Sequence, residues 1–165
     1  MKKTFIIAIV ALFSVNTSVA QKNEKPVLQY SKIVHKSANE MWDVVRKLDK
    51  IDKYSSAIAR VVWSGNKYEG GTRVCYTPDG QGYFKEKIIN FDESTRSFTY
   101  SLLEGAPVKG MVNTMQVADL GNGKSVVVWW TNYDEFLENP QMTQEQFHQF
   151  MLTSLDEMVT NMSAE

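Results

Sequence analysis

The last part of the chain has the spacing of one long amphipathic helix, and this helix most constrains the fold. Thr143 and Gln146 form a capping box, in which each side chain can bond the backbone amide of the other residue. The apolar stripe that follows is made of Phe147, Met151, Leu155, Met158 and Met162. A helix with one apolar face needs a second layer of structure to cover that face.

Alternating apolar and polar residues predict this second layer. The predicted strands cover residues 27–36, 58–65, 72–77, 83–91, 96–103, 108–118 and 125–133. Ser37 and Glu40 form another capping box, which starts a short helix after the first strand, and a second short helix is possible near residues 49–54. Because strands joined by short turns pair antiparallel, we predict an α+β fold. A curved seven-stranded antiparallel sheet wraps around the C-terminal helix and leaves a space where ligands commonly bind.

The N-terminus has the pattern of a cleavable export signal over residues 1–20. Lys2 and Lys3 are followed by an apolar stretch at residues 4–15 and by small residues at Ser18 and Ala20. The apolar stretch is too short for a comfortable membrane span, and the alternative is a buried N-terminal helix. We therefore expect a flexible lead-in at 21–27, a single domain at 28–165, and a periplasmic or secreted protein without a stable membrane anchor.

Composition excludes several other classes of protein. The 18 Lys and Arg residues against 19 Asp and Glu residues lack the basic excess of a general nucleic-acid binder. A single cysteine, Cys75, excludes an internal disulfide framework. His35, His148 and Cys75 lie on separate predicted elements, so we expect no metal site, and no motif calls for a cofactor.

The turn at residues 79–80 sets the register of the central hairpin. It pairs Arg73 with Glu86 and Cys75 with Phe84, and the opposite face then carries Lys85 and Lys87. Because lysines belong in water, the face with Arg73 and Glu86 is predicted to point inward. An odd-length loop at residues 92–94 would set Tyr100 opposite Glu86, with Phe98, Tyr100 and Leu102 also pointing inward.

An inward carboxylate is costly in an apolar space unless it is paired. Arg73 is placed to pair with Glu86, and Tyr100 could add a hydrogen bond. This pair is either an internal salt bridge that holds the sheet together or a polar anchor for one end of an apolar ligand, and the two roles are compatible.

One of Trp129 and Trp130 should face the interior. A three-residue loop at 121–123 would pair Met115 with Trp129 and turn Trp129 inward, whereas a two-residue turn at 122–123 would turn Trp130 inward. The simple alternative to a site role is one tryptophan in the core and one partly exposed.

Several of these residues form a pattern that resembles a known family. They are Gly71-Thr72-Arg73-Val74, Asp79-Gly80, Glu86, Asp92, Tyr100, Pro107-Val108 and Trp129. The pattern resembles the polyketide cyclase/dehydrase-like branch of the SRPBCC superfamily, the START-like or helix-grip group that includes abscisic-acid receptors. The resemblance implies a cavity between sheet and C-terminal helix, with Glu86 and Arg73 matching the cavity glutamate and strand arginine. Residues 78–82 and 104–108 match the gating loops of the receptors but lack their gate and latch residues, so hormone sensing is not expected.

Three hypotheses follow for function. The first is an exported protein that binds a small apolar or amphipathic ligand. The second is a cyclase/dehydratase-type lyase in which Glu86 or Tyr100 transfers protons and Arg73 steadies an enolate. A carboxyl group that acts as an acid needs a raised pKa, and a neighbouring arginine lowers the pKa, which favours binding. The third is an interaction module with a filled core.

The predicted cavity lining is Arg73, Cys75, Phe84, Glu86, Ile88, Tyr100, Leu102, Asn113, Met115, Trp129, Phe147, Met151 and Leu155.

Overall fold

The computed structural model describes residues 25–165. The elements in chain order are β1 (Leu28–Val34), α1 (Ala38–Val45), a 3-10 helix (Ile51–Lys53), β2 (Arg60–Ser64), β3 (Thr72–Tyr76), β4 (Tyr83–Asp92), β5 (Ser97–Glu104), β6 (Val108–Lys109), β7 (Val112–Gly121), β8 (Lys124–Asn132), β9 (Glu135–Phe136) and α2 (Gln144–Ala164). The predicted signal peptide at 1–20 and most of the predicted lead-in at 21–27 lie outside the described residues.

The main sheet confirms the predicted fold class. Its seven strands lie in the order β1-β8-β7-β5-β4-β3-β2, and every neighbouring pair is antiparallel. The first two strands of the chain form opposite edges of the sheet, so α1 and the 3-10 helix carry the chain from one edge to the other. The curved sheet surrounds α2, which gives the helix-grip arrangement.

Both predicted capping boxes are present. The Ser37 hydroxyl accepts from the amide of Glu40, and the Glu40 carboxylate accepts from the amide of Ser37, at the start of α1. Thr143 and Gln146 make the same reciprocal pair of bonds at the start of α2. These bonds satisfy amides that have no partner within the helix, so local sequence sets where both helices begin.

The strand predicted at residues 108–118 is divided in the structure. Gly110 has a φ of +67°, and Met111 lies between the short strand β6 and the long strand β7. β6 leaves the main sheet and pairs with β9. Only glycine adopts this backbone conformation without strain, and a Cβ at Gly110 would overlap the carboxylate of Asp134.

The loop between β4 and β5 and the register that follows it differ from the prediction. Asp92 pairs with Ser97, so the loop has an even number of residues, and a bulge at Ile89 then shifts the pairing by one residue. Tyr100 lies opposite Ile88, and the predicted pairing of Tyr100 with Glu86 is wrong. The bulge shifts the pairing by one residue, which offsets the one-residue difference in loop length. Tyr100 therefore still points inward, as predicted.

The β7–β8 hairpin combines the two alternatives that the sequence left open. Its turn consists of Asn122 and Gly123, both with positive φ, and a bulge at Leu120 compensates for the short turn. Met115 therefore pairs with Trp129, as predicted, although the three-residue loop is wrong. Trp129 is completely buried, and Trp130 is only partly covered.

The core lies between the inner face of the sheet and the helices. α2 contributes Phe147, Leu155, Val159 and Met162 as buried residues, and α1 contributes Met41 and other apolar side chains to the same cluster. In the part of the chain that the structure describes, no helix has the length and apolar character needed to span a membrane.

The cap of α2 gives a direct test of this arrangement. Replacing Thr143→Ala removes the acceptor for the Gln146 amide, and we expect the free energy of unfolding to fall by about 1 kcal/mol. Urea unfolding measures this change. Thr143→Ser should keep most of the stability because it keeps the hydroxyl. A Thr143→Ser variant as unstable as Thr143→Ala would contradict the role assigned to the cap.

Candidate ligand-binding cavity

A cavity of about 110 Å³ lies between the inner face of the sheet and residues 147–158 of α2. Its wall is mostly apolar, with a few buried polar groups on the sheet side. The lining residues are Ile51, Ser55, Ala57, Ile58, Arg73, Phe84, Glu86, Tyr100, Leu102, Ala106, Met111, Asn113, Phe147, Phe150, Met151, Ser154, Leu155 and Met158.

The most polar part of the wall is a buried ion pair between neighbouring strands. Arg73 on β3 lies directly opposite Glu86 on β4, and Arg73 Nε donates to Glu86 Oε2 at 2.5 Å. The Arg73 side chain is 4% exposed and that of Glu86 is 12% exposed. Arg73 Nη1 also donates to the carbonyl oxygen of Leu48 at 2.8 Å. The guanidinium is thus bound both to the sheet and to the segment that follows α1.

Tyr100 stands beside the pair. The guanidinium carbon of Arg73 lies 5.2 Å from the centre of the Tyr100 ring, and Trp129 Nε1 donates to the Tyr100 hydroxyl at 3.3 Å. Burial is the largest cause of a raised pKa for Tyr100, and the charge of Glu86 raises the pKa further. The phenol therefore keeps its proton at neutral pH, which leaves an O–H donor at the cavity wall.

Cys75 lies on the same face of β3 as Arg73. Its Sγ lies 3.8 Å from Glu86 Oε2. Burial raises the pKa of Cys75 to about 12. A thiol with this pKa stays protonated, so Cys75 is a weak nucleophile and acts here as a small packing group and weak hydrogen-bond donor.

Asn113 on β7 adds a third polar position. It lies directly opposite Tyr100 on β5 and is 1% exposed. Its Oδ1 atom is buried and has no hydrogen-bond partner in residues 25–165. Buried polar groups are usually paired, so an unpaired amide oxygen at a cavity wall is an unusual feature that needs a physical explanation.

Most of the residues predicted from sequence meet at this cavity. The predicted residues that line it are Arg73, Phe84, Glu86, Tyr100, Leu102, Asn113, Phe147, Met151 and Leu155. The predicted residues that are not part of this lining are Cys75, Ile88, Met115 and Trp129. Alternation along each strand correctly turns these four side chains inward, and all four are buried. Trp129 is linked to the cavity wall through Tyr100, to whose hydroxyl it donates a hydrogen bond.

Other lining residues were missed. Ile51 begins the 3-10 helix, and Ser55, Ala57 and Ile58 belong to the connection from that helix to β2, whose irregular backbone has no period that reveals its inner side. Phe150, Ser154 and Met158 were recoverable, because they follow the helical spacing of Phe147 and Met151. Met111 lies where the predicted strand at 108–118 is divided, and Ala106 lies in the loop between β5 and β6.

An outer groove of about 450 Å³ continues the site towards the surface. Phe84, Ala106, Phe147 and Phe150 line both the groove and the cavity. Phe150 is 36% exposed. These four side chains therefore lie between the two spaces, and a change in the rotamers of the three phenylalanines would join them.

A larger groove of about 570 Å³ lies outside this region, near the end of α1. Its Arg46 pairs with Glu93 at 2.5 Å, and its Lys47 pairs with Glu165 at 3.4 Å. Both of these cations are therefore paired with carboxylates. Within residues 25–165, no three His, Cys, Asp or Glu side chains are grouped so as to hold a metal ion.

Comparison with known proteins identifies the family. The family model described as polyketide cyclase / dehydrase and lipid transport matches residues 25–163. The chain belongs to this family. The SRPBCC resemblance of the sequence is thereby confirmed, and no curated protein matches the chain.

Solved structures of several other proteins share the fold. The protein XoxI from Bacillus cereus is 17% identical with a TM-score of 0.70, over 82% of this chain and 92% of that one. An uncharacterised protein from Bacillus thuringiensis is 17% identical with a TM-score of 0.69, over 82% and 95%. A point mutant of norcoclaurine synthase from Thalictrum flavum, in complex with a transition-state analogue, is 19% identical with a TM-score of 0.62, over 83% and 92%.

The buried ion pair leads to a prediction about stability. Replacing Glu86→Gln leaves the Arg73 charge buried without a counter-charge, and we expect a loss of about 3–5 kcal/mol in the free energy of unfolding. The double variant Arg73→Met with Glu86→Leu should recover much of this loss, because it removes both charges together. Chemical denaturation of the single and double variants measures the difference. Additive losses in the double variant would contradict strong coupling between the two side chains.

Proposed function

We propose that this protein binds a small, largely apolar ligand in the cavity between the sheet and α2. The observation that carries the proposal is the open space itself, with an apolar wall and buried polar groups along one side. Small-molecule sites usually have this composition: apolar side chains provide the burial, and a few fixed polar groups orient the ligand. Family membership supports the proposal, since the family description includes lipid transport.

The volume limits what can bind without rearrangement. A cavity of about 110 Å³ is smaller than the several hundred Å³ of a typical ligand pocket. It is nevertheless close to the engineered apolar cavity of about 150 Å³ that binds benzene. The space therefore suits a ligand with a single ring or a short chain, and it argues against the hypothesis of a filled core.

Larger ligands require the wall to move, and the wall is built from adaptable side chains. Met111, Met151 and Met158 all line the cavity. Methionine is unbranched and polarisable, so it can repack around different shapes. The partly exposed Phe150 separates the cavity from the outer groove, and its displacement would give a longer apolar ligand access to both spaces.

Catalysis is a second candidate function. Glu86 and Tyr100 both reach the cavity, and a structural neighbour is a synthase crystallised with a transition-state analogue. The oxygen of Glu86 that bonds Arg73 also lies near Cys75, so the carboxylate is already engaged with protein groups. We therefore favour binding over a cyclase/dehydratase-type reaction.

We further propose that the protein acts after export, in the periplasm or outside the cell. The support is the basic start at Lys2 and Lys3, the apolar stretch at 4–15 and the small residues before Gln21. N-terminal sequencing of protein recovered from the exported fraction should begin at Gln21. Recovery of the chain with residues 1–20 intact in the cytoplasm would contradict export.

Filling the cavity tests the binding proposal. Toluene is used as a probe of suitable size, and a saturating concentration should raise the melting temperature of the full chain because it binds only the folded state. Ser154 lines the cavity on α2. Ser154→Phe should abolish the shift by occupying the space.

The matched control is Thr153→Phe, which adds the same ring at the neighbouring exposed position of α2. It should keep the toluene-induced shift. Mass spectrometry of protein purified under native conditions would then identify the natural ligand. An equal response of wild type and Ser154→Phe, or no response in wild type, would contradict binding in this cavity.

A further inference from the structure

The polar groups of the cavity form a row across neighbouring strands of the sheet. Arg73 lies on β3, Glu86 on β4, Tyr100 on β5 and Asn113 on β7. Arg73 and Glu86 are cross-strand partners, and so are Tyr100 and Asn113. The row therefore has two halves, a charged pair and a neutral pair, and the two halves differ in how far the protein satisfies them.

The charged half is balanced in charge. Arg73 donates to Glu86 and to the backbone of Leu48, so its charge is matched and hydrogen-bonded inside the protein. A ligand that brought a further charge into this space would have no free counter-charge to meet. The cost of burying an unpaired ion therefore disfavours a carboxylate or an ammonium group at this wall.

The neutral half is incomplete. The Tyr100 oxygen accepts a hydrogen bond from Trp129, which leaves its own proton available to donate. The Oδ1 atom of Asn113 is an acceptor without a partner in the described residues. Directly opposite residues in an antiparallel pair have Cβ atoms about 5 Å apart, so one small group can reach both side chains.

Position distinguishes Asn113 from the other unpartnered buried oxygen of the described chain. That oxygen is Oγ of Ser125, at the start of β8. Ser125 does not line the cavity, whereas Asn113 does. The residue with the unsatisfied acceptor thus lines the cavity next to Tyr100, whose hydroxyl proton is free to donate.

A hydroxyl group has the chemistry that this half lacks, since it both accepts and donates a hydrogen bond without carrying charge. We propose that the ligand carries an uncharged hydroxyl, such as that of a phenol or alcohol, which accepts from Tyr100 and donates to Asn113 Oδ1. This proposal rests on the proposed binding function and specifies its ligand class. The apolar remainder of the ligand then faces Phe147, Met151 and Leu155 on α2.

The test compares phenol, toluene and benzoate as probes of nearly equal size. Their dissociation constants are measured on the full chain by isothermal titration calorimetry. An apolar pocket without polar partners would favour toluene, because phenol loses its hydrogen bonds to water on entry. Here we expect phenol to bind about tenfold more tightly than toluene, and benzoate to bind more weakly than phenol.

Variants assign the preference to Asn113. Asn113→Leu keeps a similar side-chain size, and the ratio of toluene to phenol dissociation constants should fall by about tenfold or more. Tyr100→Phe should lower the ratio as well. Ser125→Ala is the matched control, because it removes the other unpartnered oxygen, and the ratio should stay at the wild-type value.

The outcomes separate this inference from the proposed function. Toluene binding as tight as phenol binding in wild type overturns the hydroxyl preference but leaves the binding function intact. A preference that persists unchanged in Asn113→Leu also overturns it. If wild type binds none of the three probes, the proposed function itself fails. The comparison of probes on wild type needs no variant, so it decides the question even if Asn113→Leu does not fold.

Discussion

The Arg73–Glu86 ion pair is the interaction on which the rest of the structure depends. Both charges are buried, and neither could remain there alone without a large loss of stability. The pair therefore keeps β3 and β4 in one register. Through the Leu48 carbonyl it also holds the segment after α1 against the sheet. That segment leads into the 3-10 helix and the connection that closes one side of the cavity.

The cavity follows from this arrangement. The sheet curves around α2, and polar residues occupy part of its inner face where a plain core would have apolar ones. Phe147 and Leu155 anchor the helix in the core, while Phe150 and Ser154 lie on the neighbouring part of the helix surface and border the open space. The same elements thus supply both the packing that stabilises the domain and the wall of the proposed site.

Much of this architecture could be predicted from the sequence because its causes are local. The capping boxes mark where α1 and α2 begin, and alternation around a short turn pairs Arg73 with Glu86. The bulges at Ile89 and Leu120 could not be predicted, because a single shift in the alternation is also what the end of a strand produces. In each hairpin the observed loop differs from the predicted loop by one residue, and the bulge shifts the pairing back by one residue. Tyr100 and Trp129 therefore still point inward as predicted. The lining from Ile51 to Ile58 and the small volume of the cavity depend on tertiary packing, which no local pattern reports.

The most direct test of the account follows the methionine methyl groups during titration with phenol. Met111, Met151 and Met158 line the cavity, Met142 lines the outer groove, and Met41 and Met162 are buried elsewhere in the core. NMR spectra of protein labelled with methyl-¹³C methionine report each site separately. We predict saturable shifts at Met111, Met151 and Met158, with Met41 and Met162 unchanged. Shifts confined to Met142, or no saturable shifts at all, would contradict a ligand site between the sheet and α2.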